Sequence, residues 1–483
     1  MRHTVRSYVT NCVAFVITSA FLSIMYILGL RKYFYAIKDD NEPYDNFENN
    51  SQNPYPRKEF LPRISNATLM ENKDSNFKES NIIYDRKITT TPQFSIKDNL
   101  NNTNDDMKGH ELIFDIEYYF RNHMNIEIEK FEVETQDGFI IDLWHLKNEK
   151  EPSGKHPILY IHGLMQSGAS IASSCEDSIA YFLYNNGLDV WLGNNRCGFY
   201  PKWSKNIKDH KAKWNWDINE MVKYDLRALI DTVLEKTEKE RLTLICHSQG
   251  TTQCFMGLVN GEKIFKDNYQ IMDKVDNLIA LAPAVYPGDI INNRLFMNFM
   301  SLGINYNWVF GTREFLPIMM LAKMYFTSIR FFSFTSYFMF NYLFDWNDRL
   351  WDPKLRDVHF IFSPVYVSVK LMRWWLGNSP TSFKNNSQNI FPFKRQWFNR
   401  NVNEDGKTNH LPNILLFVPR QDKLVDGESL IHHFINYEND VNYKVWYIDE
   451  YSHMDVLWAT DVIERVGKPI LQSMIIPNDT IEA

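Results

Sequence analysis

The residues best suited to chemistry lie at Cys246-His247-Ser248-Gln249-Gly250. They close an apolar run at 242–246 and precede 251–258, which reads as the opening of a helix. A serine on a sharp strand-to-helix turn is a nucleophile elbow, in which small neighbours let strained backbone pack closely and the hydroxyl projects from the strand end. The usual pattern is GxSxG, and here Cys246 stands at the first glycine position. Such a serine needs a base to take its proton and an acid to orient that base. In an elbow enzyme they follow in the order Ser, Asp, His. Asp422 follows the apolar run 414–418 in VPRQDKLVD, and His453 follows the run 443–448 in DEYSHMD. These two are the expected acid and base. Asp426 is the rival acid, and Asp455 is another carboxylate close by. An oxyanion needs backbone N–H donors aimed at the developing charge. The amide of Gln249 is one candidate, and that of Leu164, in the loop Ile161-His162-Gly163-Leu164-Met165-Gln166, is the other. Gly163 would allow the close backbone approach. His162 is read as a loop-shaping residue. His247 adjoins the serine and is expected to point away from the reaction centre.

Other chemistries find no support. The chain has no HExxH helix and no GxxxxGK[ST] loop, and the segment Gly193-Asn194-Asn195-Arg196-Cys197-Gly198 is not GxGxxG. Five cysteines, an odd number without a CxxC pair, suit neither a zinc site nor a disulfide scaffold. No metal or cofactor is expected. A formal charge of -7 gives no basic field for a phosphate backbone, so nucleic acid is excluded as a partner.

The elements that must position these residues follow from apolar patterning. Gln136-Asp137-Gly138 separates two alternating runs and predicts a hairpin. The short runs 158–161, 189–192, 242–246, 278–281, 414–418 and 443–448 fit strands buried on both faces of a parallel sheet. Met221, Tyr224, Ala228 and Leu229 share a stripe on a helix over 219–235. Strands alternating with helices predict an α/β fold, an open sheet with helices on both faces. One region breaks the rhythm. Between positions 291 and 344 stand 16 aromatic residues and only five charged ones, Arg294, Arg313, Glu314, Lys323 and Arg330. This insertion, densest at 325–344, is expected to form a lipid-facing mobile cap. Its rivals are a static core layer and a second membrane element.

Residues 8–30 carry no charge, enough for a helix to cross a bilayer at about 20 residues. Arg31 and Lys32 follow directly and fit a cleaved signal peptide poorly, and a buried or interfacial helix is the remaining alternative. Arg2, Arg6, Arg31 and Lys32 flank both ends, so charge sets no orientation. Residues 41–104 are polar, with 13 Asn, and read as a tether in which 82–84 is too brief to make a core. Asn66, Asn101, Asn385 and Asn478 each begin a sequon, among others. The expected organisation is an anchor at 1–32, a polar arm at 33–110, a catalytic region at 111–477 with a cap at about 288–385, and a tail at 478–483.

Together these motifs resemble the acid lipase family of α/β-hydrolases, which includes gastric and lysosomal lipases and fungal steryl ester hydrolases. The resemblance runs from Ile116 through VETQDGFIIDLWHL, HGLMQSGAS, LDVWLGNNRCGFYPKWS, WNWDINEMVKYDLRALID, CHSQGTTQ, REFLP, QDKLVD and YSHMDVLW. It implies an α/β-hydrolase fold with a largely helical cap. Ser248 matches the family's nucleophile, Asp422 its acid and His453 its base, with Leu164 and Gln249 at the oxyanion positions. Cys197 and Gly198 replace the usual Gly-Asn after Arg196, and the cap lacks the cysteine pair of the secreted gastric members. The anchor and arm look most like the fungal membrane-bound steryl ester hydrolases. This implies a sterol ester as substrate, with a bilayer or lipid droplet surface as partner. The location implied is a lipid droplet, the endoplasmic reticulum or the plasma membrane. A triacylglycerol lipase or general carboxylesterase is the alternative within enzymes, and a non-catalytic lipid-binding membrane protein is the alternative outside them.

Overall fold

A computed structural model describes residues 2–39, 81–85, 112–147, 156–208, 212–293, 295–326, 330–344, 346, 348–400 and 409–477. It describes the side chains of only 9–31 in the N-terminal helix, and not those of 292–296. Most of the expected arm, the tail at 478–483, Arg294 and the sequons at Asn66, Asn101 and Asn478 lie outside the described residues.

The N-terminal helix α1 covers Arg2–Asp39. The strands are β1 (Ile82–Asp85), β2 (Ile128–Glu134), β3 (Phe139–Leu146), β4 (Pro157–Ile161), β5 (Asp189–Gly193), β6 (Lys202–Trp203), β7 (Leu242–His247), β8 (Val275–Leu281), β9 (Asn413–Pro419) and β10 (Tyr443–Ile448). They form one sheet in the order β1-β10-β9-β8-β7-β4-β5-β3-β2, with β6 on β3. Pairing is parallel from β1 to β5 along that path and antiparallel at β3 with β5, β2 and β6.

Successive side chains on a strand face opposite ways, and both faces here are covered. Leu159, Ile161, Leu244, Cys246, Leu278, Ala280, Ile414 and Leu416 join one core layer. Ile158, Tyr160, Ile245, Ile279, Leu415 and Phe417 join the other. Each fully buried Leu or Ile is worth roughly 2 kcal/mol, which is why these strands read as unbroken apolar runs. The hairpin forms as expected: Gly138 takes a φ of 86° and donates its N–H to the Thr135 carbonyl at 2.8 Å.

The segment 82–84 departs from expectation. It is part of β1, an edge strand in register with β10 (Ile82 with Val445, Asp85 with Ile448). Arg465 holds its end through Asp85 Oδ2 at 2.8 Å. Four residues carry no periodic signal, and only the distant partner strand makes them a strand.

The helix expected over 219–235 starts at a capping box, with Asp217 and Glu220 satisfying each other's amides. It continues through a π-helical turn, Met221–Leu226, into α2 (Arg227–Thr237). That turn aims Asp225 at Arg196, whose Nη2 donates to it at 2.7 Å and also to Asp137 at 3.0 Å. The fully buried guanidinium thereby ties the loop after β5 to the hairpin turn. Burial alone would weaken its charge, but the Asp225 and Asp137 carboxylates hold it protonated.

After the elbow comes α3 (Gln249–Val259). Between β8 and β9 the chain leaves the sheet for a helical insertion. Its main elements are α4 (Leu295–Gly303), α5 (Asn307–Phe310), α6 (Pro317–Phe326), α7 (Phe331–Phe344), α8 (Val369–Leu376) and α9 (Phe383–Ile390). A left-handed φ of 59° at Arg330 separates α6 from α7 within the aromatic run. Helix α10 (Gly427–Tyr437) then links β9 to β10.

Candidate active site

Parallel pairing of β4, β7, β8, β9 and β10 brings their carboxyl ends to one edge, where open sheets put their sites. Ser248 leaves β7 with φ 50° and ψ −118°, a conformation that L-residues rarely adopt. Its amide donates to the Leu281 carbonyl at 3.0 Å, which locks the turn to β8. Gly250 shows why the elbow needs a small residue there: a Cβ would stand 2.3 Å from the Ile161 carbonyl oxygen. At the first glycine position, Cys246 is fully buried and its thiol donates to the Ile279 carbonyl at 3.3 Å. Burial pushes this thiol far above its ordinary pKa, beside Cys254, so it is inert packing.

Asp422, in the loop after β9, accepts the His453 Nδ1–H at 2.6 Å. Its other oxygen accepts the amides of Leu424 and Val425 at 2.8 and 3.2 Å, which fixes the carboxylate. His453 Nε2 lies 2.8 Å from Ser248 Oγ and is left free to accept its proton. The rival acids are occupied elsewhere. Asp426 caps α10 by accepting from the Ser429 amide and hydroxyl at 3.0 and 2.7 Å. Asp455 accepts the Ser452 amide at 2.6 Å and the Trp351 indole N–H at 2.7 Å, bracing the loop that carries His453. Burial raises its pKa from 3.8 to about 6, against these hydrogen bonds.

The loop after β4 lies directly on the elbow. A Cβ on Gly163 would come 3.1 Å from the Ser248 Cβ and 2.6 Å from Gln166 Oε1. Leu164 and Met165 form a turn closed by the Gln166 amide on the Gly163 carbonyl at 3.2 Å, with φ 60° at Met165. Gln249 is the first residue of α3, so its amide has no intrahelical acceptor. Its side chain is held by the Trp375 indole N–H at 2.8 Å.

The two neighbouring histidines behave differently. His162 accepts the Asn195 amide at 3.1 Å, and burial lowers its pKa to about 4, so it shapes the loop as a neutral ring. His247 does not point away from the centre. It lines a cavity shared with Ser248 and His453, with its ring 5.2 Å from that of His453. His247 Nδ1 lies 2.9 Å from Gln166 Oε1, which also accepts the Gly163 amide at 3.0 Å, and His247 Nε2 lies 3.3 Å from the His453 carbonyl oxygen. Burial, and then the neighbouring His453, push its pKa well below the ordinary imidazole range. The ring props the loop behind Ser248 and makes no bond to the serine hydroxyl.

A cavity of about 940 Å³, counting the space open to solvent, rises above Ser248 and His453. Its walls are mostly apolar: Leu164, Met297, Met300, Phe340, Phe344, Met372, Trp375 and Phe383 stand among them. Trp346 lies parallel to the His453 ring at 5.8 Å, and Phe344 and Phe340 stack behind it at 4.8 and 5.6 Å. Sequence reasoning missed Gln166, Trp346 and Trp375 as parts of the site. Only Gln166 left a signal, three residues from Gly163 inside HGLMQSGAS. Among the described residues no group of acidic, His or Cys side chains could hold a metal.

Sheet, elbow and helical insertion define an α/β-hydrolase. The chain belongs to the alpha/beta hydrolase fold family, whose model matches residues 156–431, and a partial alpha/beta-hydrolase lipase region matches 116–174. It is 44% identical to Sterol esterase 2 of Saccharomyces cerevisiae over 97% of this chain and 98% of that protein. It is 27% identical to human gastric triacylglycerol lipase over 72% of this chain and 87% of that one. The lipase lipl-3 of Caenorhabditis elegans is 37% identical over 39% of this chain and 47% of its own length. The chain is accordingly a serine hydrolase of the esterase and lipase class.

Proposed function

We propose that this protein is a membrane-anchored steryl ester hydrolase with Ser248 as nucleophile, His453 as base and Asp422 as orienting acid. The observation that carries the reading is the unbroken Asp422–His453–Ser248 hydrogen-bond relay at the floor of an apolar cavity. Ser248 Oγ attacks the ester carbonyl carbon as its proton passes to His453 Nε2. The oxyanion is held by the amides of Leu164 and Gln249. As the C–O bond breaks, His453 returns the proton to the departing sterol oxygen. Water then attacks the acyl-enzyme, giving one proton to His453, and the fatty acid leaves as Ser248 regains its hydrogen. Asp422 holds the imidazole in the tautomer that each transfer needs. Burial of the acyl chain along the cavity is worth roughly 0.8 kcal/mol per CH₂.

The choice of sterol as alcohol is supported by the near-full-length relationship to a sterol esterase. The anchoring is supported by α1, whose stretch Val9–Arg31 has 23 residues and is uncharged up to Arg31. Its hydroxyls bond within the helix, Thr18 to the Ala14 carbonyl at 2.8 Å and Ser19 to that of Phe15 at 2.7 Å, as a bilayer requires. Such an enzyme would sit on the endoplasmic reticulum, a lipid droplet or the plasma membrane. The test is hydrolysis of cholesteryl or ergosteryl oleate beside triolein by the purified full chain and by Ser248→Ala, in detergent micelles. Sterol ester should turn over faster, and the variant should retain only the small residue due to the oxyanion site. Faster turnover of triolein would move the assignment to triacylglycerol lipase, and full activity of a folded variant would remove Ser248 from its role.

A further inference from the structure

Helix α1 does not stand clear of the catalytic region. Asn11, Ala14, Thr18, Phe21, Met25 and Gly29 recur at spacings of three and four, and so line one face. Ala14, Thr18, Met25 and Gly29 are buried. Along this face α1 meets the insertion. Asn11 Oδ1 accepts the Thr312 amide at 3.3 Å. Phe21 stacks on Phe299 of α4 at 5.7 Å and meets Phe310 of α5 edge-on at 6.0 Å. Gly29 touches α7 so closely that a Cβ there would lie 2.6 Å from the Phe338 carbonyl oxygen.

Two of the contacted helices, α4 and α7, are themselves cavity wall. Met297 and Met300 of α4 face the cavity while Phe299, between them, faces α1. Phe340 and Phe344 of α7 face the cavity while Phe338 backs onto Gly29. The opposite side of α1 is apolar and uncovered: Val16 is 67% exposed and Ile27 62%. The insertion also carries exposed aromatic side chains, Phe299, Trp308 and Tyr325. Apolar surface of this kind on two elements of one chain suits lipid.

We propose that α1 is the outer layer of the active-site wall: its packed face positions α7, and with it the Phe340–Phe344–Trp346 stack over His453, while its other face lies in the bilayer. α1 is then a positioning element as well as an anchor, and seating the helix in lipid sets the shape of the acyl cavity. The proposal rests on the membrane reading above only for what covers the outer face.

The first test is a cross-link. In a Cys12→Ser background, Asn11→Cys with Thr312→Cys should be joined by a short bifunctional maleimide in native membranes, since the Asn11 side chain reaches the Thr312 amide at 3.3 Å. The second is Gly29→Leu, which keeps the helix apolar but pushes α7. It should stay membrane-bound in alkaline carbonate and lose roughly tenfold in kcat/KM on long-chain sterol ester, with a short soluble ester unaffected. Val16→Leu, on the uncovered face, should change neither. Absence of the cross-link in membrane-retained protein, or full long-chain activity in Gly29→Leu, would overturn the proposal. Release of the wild type by carbonate with the cross-link formed would sink the membrane reading and leave the wall assignment supported.

Discussion

Gly250→Ala offers the sharpest test of how the elbow is held. The added methyl carbon would stand 2.3 Å from the Ile161 carbonyl oxygen and 2.9 Å from that of His162. Both are main-chain atoms, so no side chain can swing aside. Real Cβ atoms approach no closer than 3.0 Å, so α3 must retreat from the end of β4 by about 0.7 Å or more. That movement separates the Gln249 amide from the Leu164 turn, the pair assigned to the oxyanion. A misplacement of about 1 Å costs on the order of 100-fold, and overpacking costs roughly 1–3 kcal/mol of stability. The expectation is a kcat on a short soluble ester lower by roughly 30–100-fold, with a smaller change in KM because a short ester uses little of the cavity wall. Labelling by a fluorophosphonate should slow in parallel, since it forms the same charged oxygen. Thermal melting in detergent separates loss of rate from loss of fold. A folded variant with kcat within about twofold of wild type would refute the argument that the β4 end and the elbow are in rigid contact.

Asp422→Asn should lower kcat by on the order of 10⁴-fold by leaving His453 in the wrong tautomer, whereas Asp426→Ala should cost only about 1 kcal/mol of melting stability as a lost helix cap; a rate loss confined to the second variant reverses the roles. Trp346→Ala removes the ring stacked on His453 and should raise KM for long-chain ester by roughly five- to tenfold, with a smaller effect on a short ester, read from paired kinetics. Asp455 has a folded pKa of about 6 against 3.8 unfolded, so its contribution to stability is fully present below pH 3.8 and is lost as pH rises through 6. Wild type should therefore lose ~3 kcal/mol relative to Asp455→Asn across that window, and parallel melting curves from pH 4 to 7 for the two proteins would contradict it.

The strands and the Ser248, Asp422 and His453 positions were legible because each depends on local pattern and chain order. An apolar run between turn residues marks a buried strand, and an acid or base just beyond such a run lies at the active edge whatever the rest of the chain does. Trp346 and Trp375 were not legible as site residues. Their partners, His453 and Gln249, are 107 and 126 positions away, and nothing in an aromatic-rich insertion distinguishes a ring over the site from a ring in the core. The direction of His247 depended on Gln166, a contact that only folding creates. Arg196 and Asp225 were equally silent, because a charged residue reads as surface until its buried counter-ion is found. The insertion was expected from its aromatic composition, its place between the elbow and the later acid and base, and the family resemblance, whereas the helices that α1 packs against were not marked by any local pattern.

The short edge strand β1 bears on how this protein can be shortened. In the full chain, Ile82–Asp85 occupies the hydrogen-bonding side of β10 that faces away from β9. Tyr84 covers Tyr447 edge-on at 6.2 Å, and Arg465 is anchored to the Asp85 side chain and carbonyl. A truncated chain that begins at the hairpin keeps every residue of the relay but bares β10, a six-residue strand rich in Val, Trp, Tyr and Ile. An uncapped strand of that composition is a template for pairing with other molecules. Solubility of the excised catalytic region would then be set by four residues from a segment whose composition reads as linker, and a trimming boundary placed before Ile82 would keep β10 covered and leave only a four-residue edge.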